Sequence, residues 1–279
     1  MNSFKLHALL PLAVVAFSCA LSAQLPTYEQ FRGQNAAMTA LQPTWLSPLI
    51  QADSRLGQSL RLSYSNAYSP AGTRTVNYGN GHFLNLLAGD RVQITLVPPS
   101  YIQNHASSMP DGFGDTVGEV KYRIASGDRD HGNFAVTAIL AESWPTASHT
   151  NGAPTAVYVP MVAVGKMWGR FDVQSTLGGA MPTGKIAAQG RQINWNGTAQ
   201  LAVGAHLWTD VEDNLTFNAG GPFDGKVENF LTPAAFYVLR RKEWRPAHAT
   251  FVIGAGMQIA TSAFHTYNHN LIPEARILF

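Results

Sequence analysis

The segment Val117–Ile124 alternates residue by residue. Glu119, Lys121 and Arg123 fall on one face of an extended chain, and Val120, Tyr122 and Ile124 on the other. Alternation with period two means a strand that divides two environments. The same design recurs. Val92, Ile94 and Leu96 oppose Arg91, Gln93 and Thr95; Leu60, Leu62 and Tyr64 oppose Arg61, Ser63 and Ser65; Phe171 and Val173 oppose Asp172 and Gln174. A chain built this way has two options. It can fold as a soluble sandwich, with the apolar face on a core, or as a membrane barrel, with the apolar face on lipid and the polar face lining the interior.

The spacing of the strands separates the two. We read twelve strands, at about 58–66, 74–87, 90–98, 114–125, 133–142, 155–166, 170–182, 196–208, 213–219, 230–243, 249–261 and 269–279. Their connections alternate in length. Ala88-Gly89, Met167 to Gly169, Thr209 to Glu212 and Trp244 to His248 are short. Pro99 to Gly112, Ser143 to Pro154, Gly184 to Trp195 and Gly220 to Asn229 are long and rich in Gly, Asn and Pro. Ser126 to Gly132 is intermediate. Outer-membrane barrels have short periplasmic turns, long outer loops and an even strand count, whereas a sandwich has no reason to keep that rhythm. Tyr64, Tyr68, Trp144, Trp168, Trp195, Trp208, Trp244 and Tyr267 sit near strand ends, where an aromatic girdle would lie.

Composition agrees. Charged residues make up 13% of the chain, about half the roughly 25% of an ordinary soluble domain. Mean hydropathy is −0.04, and after residue 23 no apolar run is long enough for a membrane helix. A transmembrane strand needs only about 9–11 residues, every second one apolar, so hydropathy near zero is what a barrel gives. A net charge of +2, scattered along the chain, offers no nucleic-acid footprint.

Met1 to about Ala23 reads as a secretory signal, with Lys5 and His7 before the apolar stretch Leu9–Phe17 and small residues Ser22 and Ala23 at its end. Cys19, the one cysteine, lies inside it, and Ala16-Phe17-Ser18 before it fits a lipidation triplet poorly. The remainder therefore has no disulfide, thiolate metal site or thiol nucleophile. Residues 24–57 do not alternate. Tyr28 to Leu41 can form a short helix with Phe31, Ala37, Met38 and Leu41 on one face, ended by Pro43. This stretch is either a plug entering the barrel or a periplasmic arm leading into it. Residues 58–279 make the barrel.

Gly112-Phe113-Gly114-Asp115, followed by Glu119-Val120-Lys121-Tyr122-Arg123, resembles the outer-membrane family named for the meta-pathway of phenol degradation. The strand end Val97-Pro98-Pro99-Ser100-Tyr101 and the terminal Phe279 extend the likeness. The resemblance implies an outer-membrane β-barrel related to the FadL-type channels and passive uptake of small hydrophobic or aromatic solutes. It also implies a Gram-negative outer membrane, with lipid, lipopolysaccharide and the barrel-assembly machinery as partners. Phe279 would belong to the signal that machinery reads. Gly112 and Gly114 allow a tight turn that Asp115 can cap through nearby amides.

No enzyme motif is present: no Gly-x-Ser-x-Gly elbow, His-Glu-x-x-His, phosphate loop or dinucleotide fingerprint. His206 or His248 with Ser143 or Ser175 would be a lipid-cleaving pair, but their spacing supports none. His265 and His269 would lie about 13 Å apart on a strand, too far for one metal. We therefore expect no enzyme activity, cofactor or metal. The lumen is expected to be lined by Arg61, Gln93, Glu119, Lys121, Arg123, Asp172 and Gln174. Their opposite charges either neutralise each other across neighbouring strands, Glu119 with Lys121 or Arg123 first, or form a selective site. A channel, a non-transporting structural or adhesive barrel and a secreted soluble sandwich are the functional classes left open.

Overall fold

The computed structural model describes residues 27–106, 108–239 and 249–279. The secretory signal lies outside the described residues, as does the turn placed at Trp244–His248.

A helix, α1 (Tyr28–Ala40), comes first. Thr27 and Gln30 close a reciprocal capping box at its start, one accepting from a backbone amide and the other reaching back. Of the face expected to be apolar, Met38 is buried whereas Ala37 and Leu41 are exposed. Fifteen strands follow: β1 (Ser59–Tyr68), β2 (Arg74–Tyr78), β3 (Phe83–Leu87), β4 (Val92–Val97), β5 (Tyr101–Asn104), β6 (Gly112–Phe113), β7 (Thr116–Gly127), β8 (Phe134–Trp144), β9 (Val157–Trp168), β10 (Phe171–Pro182), β11 (Arg191–Val203), β12 (Leu207–Ala219), β13 (Val227–Leu239), β14 (Thr250–Ala260) and β15 (His269–Leu278). All pairings are antiparallel, and β15 returns to β1 with Ser59 opposite Leu278 and Tyr68 opposite His269. Strands β1, β3, β4 and β7 to β15 thus form a closed ring of twelve, with β2, β5 and β6 outside it. Closure leaves no open edge in the ring.

The three extra strands arise because three neighbouring strands break at one level. The strand read as 74–87 is interrupted at Gly79–His82, where Gly79 and Gly81 take positive φ of 116° and 73°. β1 then pairs with β3 through Ser59–Arg61 and with β2 through Tyr64–Tyr68. Pro98 and Pro99, which have no N–H to give a ladder, separate β4 from β5, so the loop read as Pro99–Gly112 contains a strand. Gly114-Asp115 separates β6 from β7. The far side is different, since β8 to β14 each run eleven to thirteen residues without a break. Prolines inside the long strands leave gaps in a ladder: β9–β10 skips at Pro160, β13–β14 between Leu231 and Ala234 around Pro233, and, beyond this side, β1–β15 at Pro273.

One sequence reading is wrong in register. The turn placed at Thr209–Glu212 lies at Gly204–His206, where Gly204 has φ 72°. Thr209–Glu212 belong to β12, and Trp195, read as the end of a loop, is inside β11. The error came from treating the Asp and Glu of this stretch as turn residues, when they are the inward half of a strand. Trp208 is correspondingly not a girdle residue: it is 7% exposed and faces the lumen between outward Leu207 and Thr209.

The barrel is apolar outside and polar inside. Leu62, Val120, Tyr122, Ile124, Leu177, Val211, Leu231 and Ile253 are exposed, while Gln93, Lys121, Arg123, Thr137, Gln174 and Glu212 are buried.

Candidate functional site: the plugged lumen

After α1 the chain enters the barrel. Residues 41–57 have no regular structure and lie within the ring. Trp45, Leu46 and Leu49 pack against Ala135, Met167, Trp208, Phe236, Val238, Val252 and Ile272. Most of these wall residues sit at the strand ends nearest the termini, so an apolar stopper closes that end. Two wall positions are bare to admit it. A Cβ at Gly165 would come within 2.7 Å of the Trp45 ring, and one at Gly256 would overlap Leu49.

Hydrogen bonds then fix the plug's main chain. Glu212 on β12 accepts from the amides of Leu49 (2.5 Å), Ile50 (2.9 Å) and Gln51 (2.8 Å). A quarter of the way round the ring, Arg276 of β15 donates to the carbonyls of Ser47 and Pro48, the latter at 2.8 Å. Arg61 of β1 donates to Leu49 O. Lys121 donates to Asp53 O at 3.0 Å, Thr137 to Ser54 O, and Gln93 accepts from Gly57 N at 2.9 Å. Each removes a buried polar group that would otherwise be unpaired, at a cost of about 1–3 kcal/mol apiece.

The seven residues read as lumen-lining therefore fall into two groups. Arg61, Gln93, Lys121 and Gln174 touch the plug directly, Gln174 through Leu46 O at 3.5 Å, and Arg123 reaches the helix before it through Met38 O at 3.5 Å. Glu119 and Asp172 bond to wall partners, Glu119 to Lys121 (3.7 Å) and Thr95 (3.2 Å), and Asp172 to Gln174 (3.0 Å). Arg123 turns away from Glu119 toward Asp90 O (2.7 Å). A second charge cluster escaped the sequence reading: Glu274 bridges Arg61 (2.7 Å) and Arg276 (2.5 Å). Its signal was present in the alternation Ile272, Glu274, Arg276. Glu212 was missed with the register of β12.

Charge is sorted around the ring. The arc β15, β1, β3, β4, β7 carries Arg276, Arg61, Lys121 and Arg123, with Glu274 and Glu119 as internal counterions. The facing arc β10 to β12 carries Asp172, Asp210 and Glu212. The plug lies between them: Ser47, Pro48, Leu49 and Asp53 turn carbonyls to the first arc and Leu49, Ile50 and Gln51 turn amides to the second, while Leu46 O at Gln174 and Gly57 N at Gln93 run the other way. Within the plug, Asp53 binds Trp45 Nε1 (3.1 Å), Ser47 Oγ (2.5 Å) and Arg55 (2.9 Å). Burial acts to raise its pKa, but Arg55, Lys121 and the Ser47 bond outweigh it and hold the carboxyl below the usual range.

Beside the plug, a cavity of about 600 Å³ remains. On the side of the broken strands it is lined by Asn80, Phe83, Asn85, Thr95, Glu119 and Lys121. The Gly-Asp stretch resembling the phenol-degradation family lies above it. Asp115 does not cap its own turn; it accepts from Ala147 N (3.0 Å) and Ala153 N (2.7 Å), tying down the loop between β8 and β9. Phe279 donates its amide to Gln58 O (3.1 Å), and its carbonyl accepts from Asn35 of α1.

No family model matches this chain, and none of the curated proteins does. Solved structures do. The COG4313 outer membrane channel from Pseudomonas putida F1 is 12% identical, with a TM-score of 0.55 over 84% of this chain and 100% of that one. This likeness shows a shared barrel fold. OmpT, an outer membrane protein of Vibrio cholerae, is 9% identical over 84% of this chain and all of its own, but its TM-score of 0.35 carries no argument.

Proposed function

We propose that the chain is an outer-membrane channel of a Gram-negative bacterium, exported by its N-terminal signal and passing small solutes passively when its plug loosens. The observation that carries this reading is the inverted distribution of polarity, with an apolar outer band around a charged lumen that still holds a cavity of about 600 Å³. That exterior suits outer-membrane lipid and lipopolysaccharide. Phe279 is the residue we assign to recognition by the barrel-assembly machinery. The channel named in Pseudomonas putida F1 supports the reading through its fold. The solute class follows from the resemblance to the phenol-degradation family: small hydrophobic or aromatic compounds, for which Phe83, Val97 and Met161 offer apolar contacts at the cavity.

Proteoliposome swelling tests it. Liposomes carrying the protein should swell in small aromatic solutes faster than in sugars of similar size. No swelling in either, with the protein folded in the membrane, favours the rival reading of a non-transporting barrel. A chain soluble without detergent removes both.

A further inference from the structure

We propose that the inner wall formed by β1, β10, β12 and β15 is a peptide-backbone binding site, occupied by residues 45–51 and open to a short extended peptide from solution. The proposal rests on reading the chain as a channel closed by its own plug.

The wall recognises the plug through its main chain. From residue 46 to 51, successive peptide groups meet successive wall side chains. Leu46 O faces Gln174, Ser47 O and Pro48 O face Arg276, Leu49 O faces Arg61, and the amides of Leu49, Ile50 and Gln51 converge on Glu212. The bond from Thr198 to Gln51 Oε1 (2.8 Å) is a side-chain exception. The plug's other polar side chains bond largely within the plug, as Asp53 does with Trp45, Ser47 and Arg55. The donors to three of these four carbonyls, Arg276 and Arg61, stand on β15 and β1, and the carboxylate that takes the amides stands on β12, an arrangement suited to peptide dipoles.

Side-chain selectivity is concentrated in two apolar seats four residues apart, one at Gly165 for Trp45 and one at Gly256 for Leu49, with Leu46 and Ile50 packed on the same cluster. Main-chain bonds that supply affinity, with pockets for a few side chains, are the division of labour of proteins that bind extended peptides. The ligand class is therefore a short peptide with bulky apolar residues at those two positions and apolar residues at the places of Leu46 and Ile50. The resident segment is covalently tethered, at an effective concentration on the order of millimolar. A peptide in solution competes once the tethered copy is weakened.

The test uses the full chain in detergent and in planar bilayers, carrying Leu49→Ala so that the wall stays intact while the plug loses one seat. The probe is a labelled synthetic peptide of residues 44–57. By fluorescence anisotropy it should bind Leu49→Ala at least about tenfold more tightly than the native chain, and it should lower the current of the variant. The same peptide N-methylated at Leu49, Ile50 and Gln51 keeps every side chain but lacks the three donors to Glu212, and should bind at least about tenfold more weakly. A peptide with Thr44→Ala, changed at an exposed side chain, should bind within about threefold of the native one.

Equal binding of the methylated and unmethylated peptides overturns the proposal, as does no binding to the variant. Trp45→Ala serves if Leu49→Ala does not fold, and the native chain at millimolar peptide serves if neither does. Barrels that pass no current in any form remove the channel reading, while anisotropy still decides the peptide site. Conducting barrels that bind no peptide overturn the site alone.

Discussion

The two halves of this barrel solve the same problem differently. From β8 to β14 the wall is made of long strands whose inward Glu212, Gln174, Thr198 and Thr137 hold the plug, as Arg61, Gln93, Lys121 and Arg276 do from the other strands. From β1 to β7 three neighbouring strands break at Gly79–His82, Pro98–Ser100 and Gly114-Asp115, and their outer parts form a separate layer, β2, β5 and β6. The unbroken half satisfies its backbone within the ladder. The broken half satisfies it partly through side chains, with Asp115 holding a loop and His82 meeting Pro98 O at 2.8 Å. Regular strands place side chains precisely, and breaks leave room, which is why the cavity lies against the broken half.

The largest expected effect separates the halves at the lipid surface. Val211 is outward near the middle of β12, where Arg in such barrels costs about 2–4 kcal/mol. Phe113, outward on short β6 at the outer rim, should tolerate Arg at about 0–1 kcal/mol. Denaturant titration in detergent or lipid would measure both; equal costs would mean that the broken side is as deeply immersed as the other.

Next comes the seat of the plug in the unbroken half. Gly165→Ala puts a methyl against the rigid Trp45 ring, and overpacking of this kind costs about 1–3 kcal/mol. Hydrogen exchange of residues 45–57 should accelerate while the β9–β10 ladder keeps its protection. Loss of protection in both would show that plug and wall unfold as one unit.

In the broken half, Asp115→Ala leaves the amides of Ala147 and Ala153 without their acceptor. About 1–3 kcal/mol of local stability should be lost, read as faster exchange across residues 145–156 with the melting temperature of the barrel nearly unchanged. A large fall in melting temperature would mean that this tie supports the ring itself.

These comparisons also mark what the sequence could reveal. The β7 pattern of Glu119, Lys121 and Arg123 against Val120, Tyr122 and Ile124 was legible because both faces are pure. β12 was not, because Asp210 and Glu212 look like a turn until the outward Leu207 and Val211 are counted. The breaks were written as Gly79, Gly81 and Pro98-Pro99, but they were hidden by a strand model that expects each crossing to be continuous. The plug's position depends on contacts between residues far apart in sequence, such as Leu49 with Glu212, and no local period encodes those.

The smallest effect lies in the turn between β7 and β8. His131 Nδ1 lies 2.6 Å from Asp128, and this bond raises the histidine above its ordinary 6.5 and lowers the aspartate. The histidine's contribution is fully present below its ordinary value and fades as pH rises through the raised one. The aspartate's contribution is present above its ordinary value and fades as pH falls through the lowered one. Asp128→Asn should bring the NMR titration of His131 back toward its ordinary value; an unchanged midpoint would mean that the bond does not form in solution.

The central claim is that Glu212 holds the plug that closes the lumen. Single-channel recording of the native chain and of Glu212→Leu tests it most directly. The leucine leaves three plug amides without an acceptor, so the native protein should be closed most of the time and the variant should open far more often, with little change in melting temperature. Indistinguishable records from the two proteins, both folded in the bilayer, would contradict the account.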